Sequence, residues 1–122
     1  MHELSIALSI IEGVEEEIAR RENARVAAVH LRLGPLSGVV KEALLFCYGL
    51  ACEGTPLEGS HLEIEEMPII LYCDACRQER PAVSLQRLCC AACDTPSAQI
   101  RKGAELEVFA LELKDEYATA AG

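Results

Sequence analysis

Two Cys-x-x-Cys pairs constrain this 122-residue chain more than any other feature of its sequence. Cys73 and Cys76 form the first pair, Cys90 and Cys93 form the second, and thirteen residues lie between them. Each pair can form a tight turn that directs two thiolates to one point, and four thiolates around a common centre suit a tetrahedral Zn²⁺. No histidine lies between residues 62 and 122. The sequence therefore predicts an all-sulfur structural zinc site.

Three alternatives to this assignment stay open on the sequence alone. Tetrahedral sulfur ligands also suit iron, as in a small electron-transfer protein. The cysteines could instead be buried thiols or disulfides, although the doubled spacing is a specific signal for metal. Cys89 could replace Cys90, because a gap of three residues before Cys93 is also permitted. We favour Cys90, since it repeats the two-residue gap of the first pair.

Composition and charge limit the functions open to the chain. Apolar residues make up 51% of it and aromatic residues only 4%, so a folded core must be built from aliphatic side chains. The net charge is −9, which disfavours general binding to nucleic acids or anionic membranes. This charge is uneven, because residues 70–102 carry +2 and the remainder carries −11.

The start of the chain does not resemble a secretory signal. It lacks a basic beginning, and glutamates at positions 12 and 15–17 interrupt its apolar residues. No apolar run approaches the length needed to span a membrane. Seven cysteines without an export signal favour reduced thiols over a disulfide framework. We therefore expect a cytoplasmic protein.

Hydrophobic periodicity predicts two helices and three strands around the cysteine-rich segment. The predicted elements are a helix over 4–22, a strand over 25–33, a helix over 39–52, and strands over 61–67 and 105–113. These indicate an α+β fold in which two helices pack on a three-stranded sheet. The last strand matches the first four elements in composition. We therefore expect one domain of residues 1–69 plus 104–122, with a zinc-ribbon-like module inserted as residues 70–103.

The same periodicity assigns the residues that should face the core. The apolar side of the second helix is predicted to contain Val40, Ala43, Leu44, Cys47, Leu50 and Ala51. On the first strand, Ala27, Val29, Leu31 and Leu33 should face one way, with Ala28, His30 and Arg32 on the wetter side. On the last strand we expect Leu106 and Val108 to point inward.

The N-terminus is a second candidate for metal chemistry. Met1 carries a free α-amine, and His2 supplies an imidazole beside it. The amine, a backbone amide nitrogen and the imidazole can form fused chelate rings in one plane. Planar nitrogen donors suit Ni²⁺ or Cu²⁺ better than Zn²⁺. A free N-terminal histidine is also common without any metal-binding role.

Several segments together resemble the hydrogenase nickel-incorporation proteins of the HypA/HybF family. The resemblance rests on the two Cys-x-x-Cys pairs and on the segments Met1-His2-Glu3-Leu4-Ser5, Leu33-Gly34-Pro35-Leu36-Ser37-Gly38-Val39 and Gly103-Ala104-Glu105-Leu106-Glu107-Val108. It extends from the N-terminus to about residue 113.

The resemblance implies a function that the residues alone do not. It implies a nickel-binding α/β domain that carries His2 and its neighbouring amides, and an inserted zinc domain held by Cys73, Cys76, Cys90 and Cys93. Nickel would be the cargo, delivered to the large subunit of a [NiFe]-hydrogenase together with a partner GTPase, and in some relatives also to urease. Glu3 matches the family motif, either as a ligand or as a residue that positions the site.

The competing interpretation is a zinc-ribbon module that binds nucleic acid or another protein. Five basic side chains near the cysteines weakly favour nucleic acid, whereas the net charge of −9 and the single nearby aromatic, Tyr72, disfavour it. No nucleophile–base pair or glycine-rich phosphate loop is recognisable. We therefore expect a binding and transfer protein that is not an enzyme.

Overall fold

The computed structural model describes residues 2–114 and contains two helices and six strands. In chain order the elements are α1 (Glu3–Ile18), β1 (Val26–Leu33), a 3-10 turn (Pro35–Ser37), α2 (Lys41–Ala51), β2 (His61–Glu66), β3 (Ile70–Cys73), β4 (Gln78–Pro81), β5 (Ile100–Lys102) and β6 (Leu106–Leu113). One sheet has the strand order β2-β1-β6, and a second has the order β4-β3-β5. The predicted α+β class is confirmed. Neither helix of the described chain is long and apolar enough to cross a bilayer.

The chain divides into two compact units. The first, which we call the helical unit, comprises residues 2–31, 39–63 and 108–114. The second, which we call the cysteine unit, comprises residues 32–38 and 64–107. The two domains predicted from the sequence, 1–69 plus 104–122 and 70–103, stay a prediction. Residues 115–122 of that prediction lie outside the described residues.

Helix α1 buries most of the apolar stripe that the sequence predicts, but Leu4 and Leu8 at the start of that stripe are 47% and 48% exposed, and the helix is shorter than predicted. Its buried residues are Ile6, Ala7, Ile11, Val14 and Ile18. The helix ends at Ile18 and not at residue 22, because the apolar stripe ends there and Asn23 takes a left-handed conformation with φ of 56°. Helix α1 packs against helix α2 within the helical unit.

Helix α2 buries only part of the predicted face, together with one residue outside it. Leu44 is buried as expected, but Leu50 and Val40 are 52% and 56% exposed. The second buried residue is Tyr48, whose hydroxyl lies 2.6 Å from Ser60 Oγ. This hydrogen bond lets the phenol ring enter the core without an unsatisfied polar atom. The same burial raises the pKa of Tyr48 above its ordinary value.

The faces of strands β1 and β6 also depart in part from the alternating pattern. On β1, Val29, Leu31 and Leu33 are buried as predicted, but the two alanines are reversed: Ala28, expected on the wet side, is buried, and Ala27, expected to face the core, is only half-buried. On β6 the two residues expected to point inward, Leu106 and Val108, are more than a third exposed. This strand is at the edge of its sheet, so it has a neighbouring strand, β1, on one side and none on the other side within that sheet.

Gly34 fills a position in the cysteine unit where no side chain fits. Its N–H donates to the carbonyl of Glu105 at 2.8 Å, and Leu36 donates to the carbonyl of Gly103 at 2.7 Å. A Cβ on Gly34 would lie 2.2 Å from the Gly103 carbonyl oxygen, well inside van der Waals contact. The Gly-Pro sequence that ends β1 is therefore required by a close approach of two backbone segments as well as by the turn.

We expect Gly34→Ala to destabilise the metal-replete protein by about 2 kcal/mol, because the methyl group forces the two segments apart. Thermal denaturation measures the change. Gly49→Ala is the matched control: no atom lies within 4 Å of its added Cβ, and alanine should stabilise α2 by about 0.5–1 kcal/mol. Equal stability of Gly34→Ala and the parent protein would contradict the close approach.

Candidate metal centres

The four predicted cysteine ligands come together in the cysteine unit. The sulfur atoms of Cys73, Cys76, Cys90 and Cys93 all lie within 4.8 Å of one another. The Cys73–Cys93, Cys76–Cys93 and Cys76–Cys90 sulfur distances are 3.5, 3.6 and 3.9 Å. A zinc–sulfur bond of about 2.3 Å in a regular tetrahedron requires sulfurs about 3.8 Å apart. The geometry therefore fits one four-coordinate metal ion, and all four thiols are free of disulfides.

Both Cys-x-x-Cys pairs adopt the same turn. In the first, the N–H of Arg77 donates to the carbonyl of Cys73 at 2.7 Å, and Arg77 has a positive φ of 56°. In the second, the N–H of Asp94 donates to the carbonyl of Cys90 at 2.7 Å, with φ of 65°. The N–H of Cys76 also points to the sulfur of Cys73 at 3.4 Å. Each turn thereby directs two sulfurs to one side of the backbone.

A small core supports these two turns. Leu71 and the side chains of Cys73 and Cys90 are fully buried, and Ala82 and Ile100 pack against them. Leu71 and Cys73 belong to β3, which pairs antiparallel with β4 and β5. The cluster has a single fully buried aliphatic side chain, so apolar burial alone gives these turns little support.

The remaining two thiols are less buried and differ in acidity. The side chain of Thr95, 3.1 Å from the Cys93 sulfur, and the Thr95 backbone lower the pKa of Cys93 to about 6. A hydrogen bond from Arg80 lowers the pKa of Cys76, but hydrogen bonding to Cys93, burial and the other thiols outweigh it and raise this pKa to about 11. Four thiols this close together share protons, whereas a bound cation would favour four thiolates.

Cys89 does not join the group of four sulfurs found among the described residues. The backbone of Cys89 bridges Pro96, whereas that of Cys90 bridges Ala82. A hydrogen bond to the Cys89 side chain, followed by the charge of Asp94, raises the pKa of the Arg87 guanidinium. This geometry supports the choice of Cys90 over Cys89 as the ligand, which stays a prediction.

At the N-terminus, the structure describes His2 and Glu3, two of the three residues predicted to bind nickel. His2 is exposed and forms the N-cap of α1, with its carbonyl accepting the N–H of Ile6 at 3.2 Å. The Glu3 carboxylate accepts a hydrogen bond from the N–H of Val40 at 3.1 Å. This contact joins positions 37 residues apart, and no sequence pattern predicts it. Met1, the third predicted nickel residue, lies outside the described residues.

The two other histidines do not form a comparable cluster within residues 2–114. His30 Nε2 lies 2.6 Å from the carboxylate of Glu112, and its ring lies 5.9 Å from that of Phe109. His61 is exposed at the start of β2. A hydrogen bond and a ring contact account for the placement of His30.

Comparisons with known proteins agree on one family. Residues 1–113 match the family model described as hydrogenase/urease nickel incorporation, metallochaperone, hypA. The hydrogenase maturation factor HypA of Roseiflexus sp. (strain RS-1) is 47% identical over 116 residues, covering 95% of this chain and 94% of that protein. The protein of the same name from Chloroflexus aurantiacus (strain ATCC 29366 / DSM 635 / J-10-fl) is 46% identical over 112 residues, covering 92% and 98%.

Solved structures support the fold independently. The solution structure of the Ni metallochaperone HypA from Helicobacter pylori matches 93% of this chain and 97% of that one, with a TM-score of 0.63 and 23% identity. A second structure, the solution structure of a HypA protein, has the same coverage and identity and a TM-score of 0.67. Taken with the family model and the sequence relatives, this shows that the chain belongs to the HypA family of hydrogenase/urease nickel-incorporation metallochaperones.

Proposed function

We propose that this protein binds Ni²⁺ at its N-terminus and delivers it to the large subunit of a [NiFe]-hydrogenase during maturation. The observation that carries the proposal is the closed character of the cysteine site in a chain of this family. Four sulfurs at tetrahedral spacing leave no open coordination position. A transferable ion therefore needs other ligands, and His2 with the amine and amides around it is the nitrogen-rich alternative.

The cysteine site holds Zn²⁺ in a structural role in this proposal. Cys73, Cys76, Cys90 and Cys93 would be its ligands. The positive charge of zinc would offset the repulsion among the four thiolates, which the small apolar core around Leu71 cannot do. In a unit with so little apolar burial, metal binding contributes directly to the free energy of folding. Zinc has no redox chemistry and a tetrahedral preference that suits these distances. The protein itself catalyses no reaction.

The nickel site uses donors of a different kind. Met1 would provide the α-amine, His2 the imidazole, and backbone amides the remaining nitrogens. Such a set favours a planar arrangement around Ni²⁺. An exposed His2 at the start of α1 also suits a cargo that must pass to another protein. Protons compete for these nitrogens, so nickel binding should weaken in acid.

Two protein partners follow from the proposal, both in the cytoplasm. A GTPase accessory protein would engage the helical unit, and the hydrogenase large subunit would engage the cysteine unit. The mildly basic segment 70–102, within a chain of net charge −9, supports the second assignment. Arg101 and Lys102 are both exposed on β5, where they can contact an acidic surface. No nucleic acid or membrane takes part.

We expect Cys90→Ser to lose the bound zinc, because three sulfurs and a hydroxyl form a much poorer zinc site. Elemental analysis of the purified protein gives the zinc content, and far-UV circular dichroism should show that the helices persist. Cys89→Ser is the matched control and should retain one zinc per chain. Loss of zinc in Cys89→Ser with retention in Cys90→Ser would exchange the two residues in the ligand set.

We expect His2→Ala to abolish high-affinity nickel binding without altering zinc content or helix content, because the exposed imidazole supports no core. Calorimetric Ni²⁺ titration of untagged protein measures the affinity. His61→Ala, which removes another exposed histidine, should bind nickel like the parent. An N-terminal extension should weaken binding if the α-amine is a ligand. Equal affinity of His2→Ala and the parent would refute this site.

We expect the double substitution Arg101→Glu/Lys102→Glu to reduce capture of the hydrogenase large subunit while leaving capture of the GTPase unchanged. The matched control is Arg20→Glu/Arg21→Glu, which makes the same charge change at two exposed residues of the helical unit. Pull-down at two salt concentrations measures both partners, since exposed charge contacts weaken with salt. Lost GTPase capture with retained hydrogenase capture would reverse the assignment.

A further inference from the structure

The Glu3 carboxylate connects the beginnings of the two helices. Its Oε2 atom accepts a hydrogen bond from the main-chain N–H of Val40 at 3.1 Å. Glu3 is the first residue of α1, and Val40 is the N-cap of α2, a position at which the valine side chain offers no hydrogen-bond acceptor. One carboxylate from the first turn of α1 therefore satisfies a main-chain N–H at the start of α2 that has no partner within that helix.

Electrostatics favour this arrangement for both helices. The N-terminal end of each helix carries a partial positive charge that attracts a carboxylate. The N–H of Val40, and then the N–H of Glu3 itself, lower the pKa of the Glu3 carboxyl below its ordinary value. Coordination of a metal ion by this carboxylate would compete with its hydrogen bond to the Val40 N–H, which favours a positioning role over a direct ligand role.

The contact also fixes the backbone from which His2 projects. The His2 carbonyl accepts the N–H of Ile6 at 3.2 Å, and His2 itself is extended, with φ of −85° and ψ of 138°. The chain thus enters α1 immediately after His2. The hydrogen bond between the Glu3 side chain and the Val40 N–H then connects the first turn of α1 to the start of α2. The imidazole stays exposed while its attachment point is anchored.

We propose that Glu3 is a positioning residue for nickel, which acts through its hydrogen bond to Val40 N–H and not as a ligand through its carboxylate. The inference rests on the proposed nickel site at His2. By anchoring the residue that follows His2, the contact restricts the conformations of the N-terminal nitrogens before nickel arrives. Preorganised ligands lose less conformational entropy on binding.

Substitutions at both ends of the contact test this role. Glu3→Ala removes the acceptor, and Val40→Pro removes the donor while keeping the carbonyl that accepts the N–H of Leu44. The φ of −85° and the 56% exposure of Val40 make proline tolerable there. Val40→Ala keeps the N–H and is the matched control. Glu3→Gln keeps a side-chain oxygen that can accept the hydrogen bond but is a poor nickel ligand.

Nickel affinity of the full chain is measured by Ni²⁺ titration, with zinc content and thermal unfolding recorded for every variant. We expect Glu3→Ala and Val40→Pro each to weaken nickel binding roughly tenfold or more, as for other residues that orient metal ligands. Glu3→Gln and Val40→Ala should stay close to the parent. The double variant Glu3→Ala/Val40→Pro should bind no more weakly than either single variant, since both remove one interaction.

Two results would overturn the positioning role. If Glu3→Ala and Glu3→Gln both lose nickel while Val40→Pro binds like the parent, the carboxylate is itself a ligand. If all variants bind nickel like the parent while the melting temperature falls in Glu3→Ala and Val40→Pro, the contact only caps α2. A failure of the underlying nickel site is recognised separately, because His2→Ala would then bind nickel as tightly as the parent.

Discussion

The convergence of four sulfur atoms within 4.8 Å is the constraint on which the cysteine unit depends. Four thiolates at that distance repel one another unless a cation lies between them, and the apolar cluster below them has Leu71 as its single fully buried aliphatic side chain. The rest of the unit serves this convergence. Strand β3 delivers Cys73 to the first turn, and two turns of the same conformation direct both pairs inward. An apolar cluster this small contributes little to the free energy of folding, so it does little to stabilise any other arrangement of the cysteines.

Local patterns in the sequence predict those parts of the molecule that local forces decide. The spacing of the cysteines predicts their convergence, and the apolar stripe of α1 predicts the burial of Ile11, Val14 and Ile18. The buried face of α2 is predicted only in part, because the burial of Tyr48 depends on a tertiary hydrogen bond. Tyr48 is buried with its hydroxyl hydrogen-bonded to Ser60, twelve residues away, whereas the apolar Leu50 stays exposed.

Contacts between distant segments explain the other features that the sequence does not reveal. The sequence around Gly34 predicts a turn residue, but a side chain at this position is excluded chiefly by the Gly103 carbonyl, nearly seventy positions later in the chain. The contact between Glu3 and Val40 involves a main-chain N–H, and any residue except proline would supply one. The motif containing His2 and Glu3 therefore identifies a candidate site by resemblance, while the way in which that site is held becomes apparent only in three dimensions.

The unequal burial of the four sulfurs gives the cysteine site a direction. Cys73 and Cys90 are fully buried, Cys76 is half-buried and Cys93 is exposed. Solvent thus reaches the cluster from one side. An ion entering or leaving would pass the Cys93 sulfur, and a competing chelator would attack there first. Exchange of a metal held by these four sulfurs would therefore begin at Cys93 and end at the buried pair, Cys73 and Cys90.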